Sequence, residues 1–182
     1  FRSPVLWMPG TPGGRRQIPE EARIAAAETG LRLICIDRPG VGHSTPYQYD
    51  NILEFANDLE VVVDLLGIDD FAMVGLSGGG PYLLACAYAL SPRVKAAAVL
   101  GGVAPSVGPD AAEGGPVHLT ALLQPVLVHL RTPLAVAVST AVSVLRPLGT
   151  PALIAYARVS PAGDRAVLNR PEIRAMLLDD IF

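Results

Sequence analysis

Residues Phe71 to Leu84 set a serine where it can act as a nucleophile. The segment Phe71-Ala72-Met73-Val74-Gly75-Leu76-Ser77-Gly78-Gly79-Gly80-Pro81-Tyr82-Leu83-Leu84 is a short apolar strand that runs into Gly-x-Ser-x-Gly and at once into a helix. A serine on so sharp a strand-to-helix turn has its hydroxyl lifted clear of the sheet. Residues two before and two after it crowd the turn, so Gly75 and Gly79 avoid side-chain clashes. The helix that starts beside Ser77 presents unbonded N–H groups and a partial positive charge to a developing oxyanion. The chemistry these residues point to is attack of the Ser77 hydroxyl on a carbonyl.

Other chemistries find less support. Gly40-Val41-Gly42 lacks the third glycine of a dinucleotide fingerprint. Gly75 to Gly80 has the spacing Gly-x-x-Gly-Gly-Gly, and no clear acidic residue ends a following strand. No Lys-Ser/Thr pair follows a glycine-rich loop, as phosphate cradling by a P-loop requires. No His/Cys/acid cluster has metal-ligand spacing, so neither a metal nor a cofactor is expected.

Composition narrows the class further. At 182 residues the chain is the size of one domain with an inserted subdomain, and 51% of it is apolar, enough for a sizeable core. The net charge of −3 leaves no basic footprint for nucleic acid. Cys35 and Cys86 lie in apolar strand and helix contexts and are expected to be buried, reduced thiols, which places the protein in the cytoplasm. The chain begins at Phe1 and ends on Asp179-Asp180-Ile181-Phe182 with no evident domain close, so it reads as a segment of a longer protein.

The elements that would position Ser77 alternate. Pro4–Met8 reads as a strand, then comes the turn-rich loop Pro9-Gly10-Thr11-Pro12-Gly13-Gly14. A helix is expected from Pro19 to about Thr29, with acids in its first turn and Gly30 as its stop. Leu31–Ile36 is a strand and Asp37–Pro46 a loop. Asn51–Leu66 is a helix with Ile52, Phe55, Leu59, Val62 and Leu66 on one face, capped by Asn51 with Glu54. Phe71–Gly75, Gly78–Leu90 and Val94–Leu100 read as strand, helix and strand. Short connections between alternating strands and helices imply right-handed crossovers and a parallel sheet. After Gly101-Gly102 the pattern changes: 104–115 reads as a linker, and 117–157 is apolar and helical but broken by Pro125, Pro133, Pro147 and Pro151. Between Arg131 and Arg146 only fourteen uncharged residues run, and Pro133 is among them. A membrane span needs about 20, so none is expected.

With these loops in place the chain resembles the α/β-hydrolase superfamily. Three segments carry the resemblance: Gly75-Leu76-Ser77-Gly78-Gly79, Asp37-Arg38-Pro39-Gly40-Val41-Gly42-His43-Ser44, and Gly10-Thr11-Pro12-Gly13, which is similar to the family's oxyanion loop. The implied fold is α/β, a mostly parallel sheet of the α/β-hydrolase type with a helical cap, incomplete at both ends. Residues 1–103 would be the core and 104–182 the cap. The resemblance makes Ser77 the nucleophile, and the N–H groups of Gly78 and Thr11 the oxyanion donors. Pro9 departs from the family, which has histidine there; Pro9 has no N–H and a fixed φ, and so reshapes the loop.

The acid and the base do not show themselves. The family's order is Ser, then Asp or Glu, then His, the latter two after later strands. His118 and His129 fall in the apolar cap-like region and read as cap or core histidines; His43 reads as structural or pocket-rim. Asp110, Asp164, Asp179 and Asp180 have no strand context, and Asp37 is expected to brace its own loop by accepting backbone N–H bonds. The resemblance implies that the catalytic Asp and His lie beyond Phe182, with the first strands before Phe1.

The expected activity is cofactor-free cleavage of an ester or related acyl bond through an acyl-enzyme on Ser77. Serine in place of aspartate argues against the dehalogenase and epoxide hydrolase branches. Carbon–carbon bond hydrolysis or perhydrolysis would keep the same turn, and a non-catalytic binding or signalling protein of this fold is the alternative from another class. The apolar cap implies a hydrophobic small-molecule substrate, with peripheral lipid contact as a further use of that region. Residues 1–182 alone should be inactive, and esterase turnover by a verified 1–182 chain would contradict that.

Overall fold

The computed structural model describes residues 3–113, 122–124, 126 and 129–181. Two compact units emerge: Phe1–Val103 with Ala162–Ile181, and Ala104–Pro161. Residues 162–181, which the sequence reading groups with the cap, cluster with the core.

The first unit is built on a four-stranded parallel sheet of order β2-β1-β3-β4, with β1 Pro4–Met8, β2 Arg32–Cys35, β3 Phe71–Leu76 and β4 Val94–Leu100. Its helices are α1 Glu20–Thr29, α2 Glu54–Leu65 and α3 Gly80–Ala89. From the returning segment come α6 Ala162–Leu168 and α7 Pro171–Ile181. β1 is central, and Val5, Leu6, Trp7 and Met8 are all buried, as in a strand covered on both faces. On one face Leu6, Met8, Phe71 and Met73 join Phe55, Leu59 and Val63 of α2 and Leu83 and Cys86 of α3 in a single core. Each such large side chain, fully buried, stabilises the unit by about 1.5–3 kcal/mol.

Local signals set most element ends. α1 stops at Gly30, whose φ of 74° is left-handed and whose N–H closes on the Ala26 carbonyl. α2 differs from its sequence expectation at its start. Asn51 Oδ1 accepts the Leu53 N–H at 3.0 Å, a local turn that competes with the helix, which therefore begins at Glu54. Glu54 still meets its expected partner: it accepts from Asn51 Nδ2 at 3.0 Å and from the Asp50 N–H at 3.2 Å. The buried stripe is Phe55, Ala56, Leu59 and Val63, while Ile52 and Leu66 lie outside the helix and are exposed.

The second unit holds α4 Arg131–Leu145 and α5 Gly149–Val159, joined by a 3-10 turn at Arg146–Leu148. Leu134, Val136, Val144, Tyr156 and Val159 are exposed on these helices. Among the described residues, no helix is long and apolar enough to cross a membrane.

Candidate active site

β3 ends at Leu76, and the chain then turns through the 3-10 segment Ser77–Gly79 into α3, with Pro81 in its first turn. Ser77 sits at φ +48°, a left-handed conformation that side-chain-bearing residues rarely adopt. The flanking glycines have steric reasons. A Cβ on Gly75 would lie 3.0 Å from the Gly79 carbonyl oxygen and 3.0 Å from Leu83 Cβ. A Cβ on Gly79 would lie 2.7 Å from both the Met8 carbonyl carbon and the Pro9 oxygen. The turn is thus pressed onto the end of β1, which brings the loop after β1 beside Ser77.

That loop meets the turn at Gly78. A Cβ there would be 3.2 Å from the Thr11 nitrogen and 2.9 Å from Thr11 Cβ. Gly10 approaches from the other side: its Cβ position is 3.5 Å from Ser77 Cβ. Ser77, Gly78 and Thr11, far apart in sequence, therefore share one corner of the sheet's carboxyl edge, where open α/β sheets bind ligands. The Thr11–Pro12 peptide is cis.

Two buried polar residues that sequence reasoning missed brace this loop. Gln17 Oε1 accepts the Gly10 N–H, and Gln17 Nε2 donates to the Pro12 carbonyl at 3.1 Å. Arg38 Nη2 donates to the Gly10 carbonyl at 2.6 Å and to Thr11 Oγ1 at 2.9 Å, and Nη1 donates to the Gly78 carbonyl at 3.3 Å. Burial lowers the Arg38 pKa from its ordinary value. Arg38 lies inside a quoted motif, and an arginine next to an apolar strand was the available signal. Gln17 had none, because its seven-residue distance from Gly10 means nothing until the loop closes.

The carboxylates take other positions than expected. Asp37 braces its own loop through its backbone carbonyl, which accepts from the Ser44 hydroxyl at 2.8 Å, but among the described hydrogen bonds its carboxylate does not. Its Oδ1 accepts the Arg15 N–H at 2.7 Å and its Oδ2 pairs with the Arg15 guanidinium, so it ties down the loop after β1. Asp180, on α7, accepts the Gly14 N–H at 2.8 Å and the Arg16 N–H at 3.0 Å, while Asp179 pairs with the Arg16 guanidinium at 2.8 Å. Asp110 and Asp164 are exposed. His43 is exposed and lines a cavity of about 470 Å³ with Arg15, Asp37, Tyr49 and Asp58; Ser77, Gly78 and Thr11 are not part of that lining. His129 lies in the second unit, and His118 lies outside the described residues. No group of three or more His, Cys, Asp or Glu among the described residues is placed to hold a metal.

Burial raises the Asp180 pKa above its ordinary value, against the opposing pull of its two backbone donors. Folded Asp180 therefore keeps its proton to higher pH than unfolded Asp180 does. Its contribution is fully present below the ordinary value of about 3.9 and is lost as pH rises through the raised native value. In urea melts across that window, Asp180→Asn should lose part of the pH dependence of stability. An unchanged slope would count against this account.

Both thiols are free; Cys86 is buried and Cys35 only partly so. Burial pushes each up to about 12, helped at Cys35 by the nearby Asp180 and Asp37 carboxylates. Because only the thiolate reacts, native protein at pH 8 should be alkylated by iodoacetamide at least about 100-fold more slowly than urea-unfolded protein. Rapid mass gain at Cys35 would refute this.

Comparison with known proteins follows the same outline. A family model described as the alpha/beta hydrolase fold matches residues 3–144. An alpha/beta hydrolase fold protein from Nakamurella multipartita is similar at 26% identity and TM-score 0.59, over 98% of this chain and 60% of that one. A bromoperoxidase from Bacillus anthracis is similar at 27% identity and TM-score 0.50, over 56% of this chain and 37% of that one. An esterase from Rhodococcus sp. ECU1013, at 24% identity and TM-score 0.50 over 57% and 39%, shares the fold. The chain thus spans between 37% and 60% of the length of these relatives. A search of curated proteins finds no match.

Proposed function

This chain belongs to the alpha/beta hydrolase fold family, and from that membership we propose that it is a serine hydrolase acting on an ester or related acyl bond. The observation that supports this best is Ser77 itself, strained at φ +48° at the end of a parallel strand and backed by Thr11 across Gly78. Strain of this kind costs stability and persists where the surrounding structure over-determines it.

In the proposed reaction Ser77 Oγ attacks the acyl carbon while a base takes its proton. The carbonyl electron pair moves onto oxygen, and the N–H groups of Gly78 and Thr11 donate to that oxyanion. Its collapse expels the alcohol, which takes the proton back from the base. Water then repeats the attack on the acyl-enzyme, releasing the acid and restoring Ser77. The base in this reaction is a histidine, as the family's order of Ser, then Asp or Glu, then His implies. The apolar composition of residues 117–157 fits a hydrophobic acyl group and would also serve peripheral lipid contact. The free thiols fit a cytoplasmic site.

Similarity to the Bacillus anthracis bromoperoxidase favours a second reading, perhydrolysis. There hydrogen peroxide replaces water as the attacking group, and a peracid leaves while Ser77 regains its proton.

A fluorophosphonate probe tests the proposal. Protein that carries the acid and base together with residues 1–182 should gain one adduct, mapped by peptide mass to Ser77. No adduct, or an adduct elsewhere, would sink the serine mechanism and favour a binding role for the fold.

A further inference from the structure

An amide aimed at an oxyanion is one end of a peptide unit, and the other end decides where it points. In a trans peptide the C=O and N–H face opposite ways, so a group that grips the carbonyl aims the amide. The Ser77–Gly78 peptide is gripped by backbone: the Ser77 carbonyl accepts from the Gly80 N–H and, at 3.2 Å, from the Val103 N–H. The Gly10–Thr11 peptide lies in a loop, where no ladder or helix does that work. There the grip comes from a side chain, Arg38, at 2.6 Å from the Gly10 oxygen.

The surroundings of Arg38 sharpen the point. It is 6% exposed and lies 5.0 Å from the centroid of the Tyr82 ring. Its three described hydrogen bonds end on neutral oxygens of Gly10, Thr11 and Gly78; of the carboxylates nearby, Asp37 is engaged by Arg15, and Asp180, which acts on Arg38 through its charge, accepts from the Gly14 and Arg16 N–H groups. Burying a cation among neutral acceptors is costly, and a purely structural tie could have used a neutral donor. The arrangement joins the two halves of the oxyanion site, the loop after β1 and the turn after β3, through one planar fork. Gln17 fixes the peptides on either side, Pro9–Gly10 and Pro12–Gly13. Of the two peptide units between them, Gly10–Thr11 is the one whose carbonyl Arg38 holds.

We propose that Arg38 is a positioning residue of the acyl-transfer site. Its guanidinium holds the Gly10 carbonyl so that the Thr11 N–H faces the oxyanion, and its charge polarises that peptide into a stronger donor. The inference rests on the serine-hydrolase reading above. A charged donor on the carbonyl strengthens the bond made by the amide of the same unit. Lysine does not replace it, because its single nitrogen is one donor point where Arg38 uses two separate nitrogens to reach three acceptors.

The test uses protein that carries the acid and base together with residues 1–182, with Arg38→Gln and Arg38→Lys; the lysine variant keeps the buried charge should the glutamine variant not fold. Rates are taken per serine labelled by fluorophosphonate, so that loss of folded protein does not count. Removing one oxyanion donor outright costs about 100- to 1,000-fold in kcat. A misaimed donor should cost about 10- to 100-fold in kcat, with KM within about threefold, because the contact tightens only in the transition state. Affinity for an alkyl boronic acid, which forms a tetrahedral anionic adduct on serine, should fall with kcat. In spectra of protein carrying carbon-13 at the glycine carbonyls, the Gly10 signal should move upfield in both variants. Values of kcat and boronate affinity within about twofold of the parent would overturn the proposal. So would an unmoved Gly10 signal, whatever the activity. A parent that takes no adduct at Ser77 overturns the serine reading and the catalytic use of Thr11 with it, and the Gly10 signal then still reports whether Arg38 holds the peptide.

Discussion

Replacing Ser77 with alanine should lower kcat by about 10⁴- to 10⁶-fold and abolish fluorophosphonate labelling, with the melting temperature held within a few degrees. The magnitude follows from what is lost. Without the hydroxyl no acyl-enzyme forms, and only binding and the oxyanion donors remain to assist water. A companion variant separates chemistry from conformation. Ser77→Gly should be equally inactive but more stable than Ser77→Ala by about 1 kcal/mol, because glycine occupies φ +48° without the penalty a Cβ incurs. Turnover by either variant within about tenfold of the parent would remove Ser77 from the mechanism. A glycine variant less stable than the alanine variant would show that the turn is not strained.

The second large effect is expected at Gly79. Its Cβ position lies 2.7 Å from the Met8 carbonyl carbon and 2.7 Å from the Pro9 oxygen, and neither backbone atom is free to rotate away. Gly79→Ala must therefore push α3 off the end of β1. Overpacking of this kind costs about 3 kcal/mol or somewhat more. For a chain of this size that is a fall of roughly 6–12 °C in melting temperature. The displacement would also part Gly78 from Thr11, so kcat should drop along with stability. Two other glycines calibrate the result. Gly67 has open space around its Cβ position but a φ of +64°, so Gly67→Ala should cost only about 1–2 kcal/mol. Gly163, in α6, has open space and no such φ, so Gly163→Ala should be neutral or stabilising by up to about 1 kcal/mol. A Gly79→Ala protein as stable as the parent would mean that α3 and β1 do not meet as described.

The sequence was informative where a local pattern has one physical solution. Alternating apolar strands and short loops leave little but a parallel sheet, and all four strands fall within a residue or so of where patterning puts them. Gly30 ends a helix because the left-handed conformation is cheap for it alone. Gly75 and Gly79 flank Ser77 because the turn has no room for side chains. Patterning failed on α2 by three residues at its start, because helical periodicity cannot see that the Asn51 side chain closes a turn of its own.

What the tertiary structure alone decided is which distant residues share the corner at Ser77. Hydrogen bonds between loops carry no periodicity. Nothing along the chain announces that the Asp37 carboxylate would serve the loop after β1 and not its own, or that Asp180 would pin Gly14 from 166 residues away. Nor does it announce that the carbonyl of Gly10 would be held by Arg38. The sharp turn at Ser77 was legible because strand, turn and helix are local. The groups that hold the loop after β1 against that turn were not, because they are defined by closure of the sheet, which brings the ends of β1, β2 and β3 side by side and lets one buried arginine reach across them.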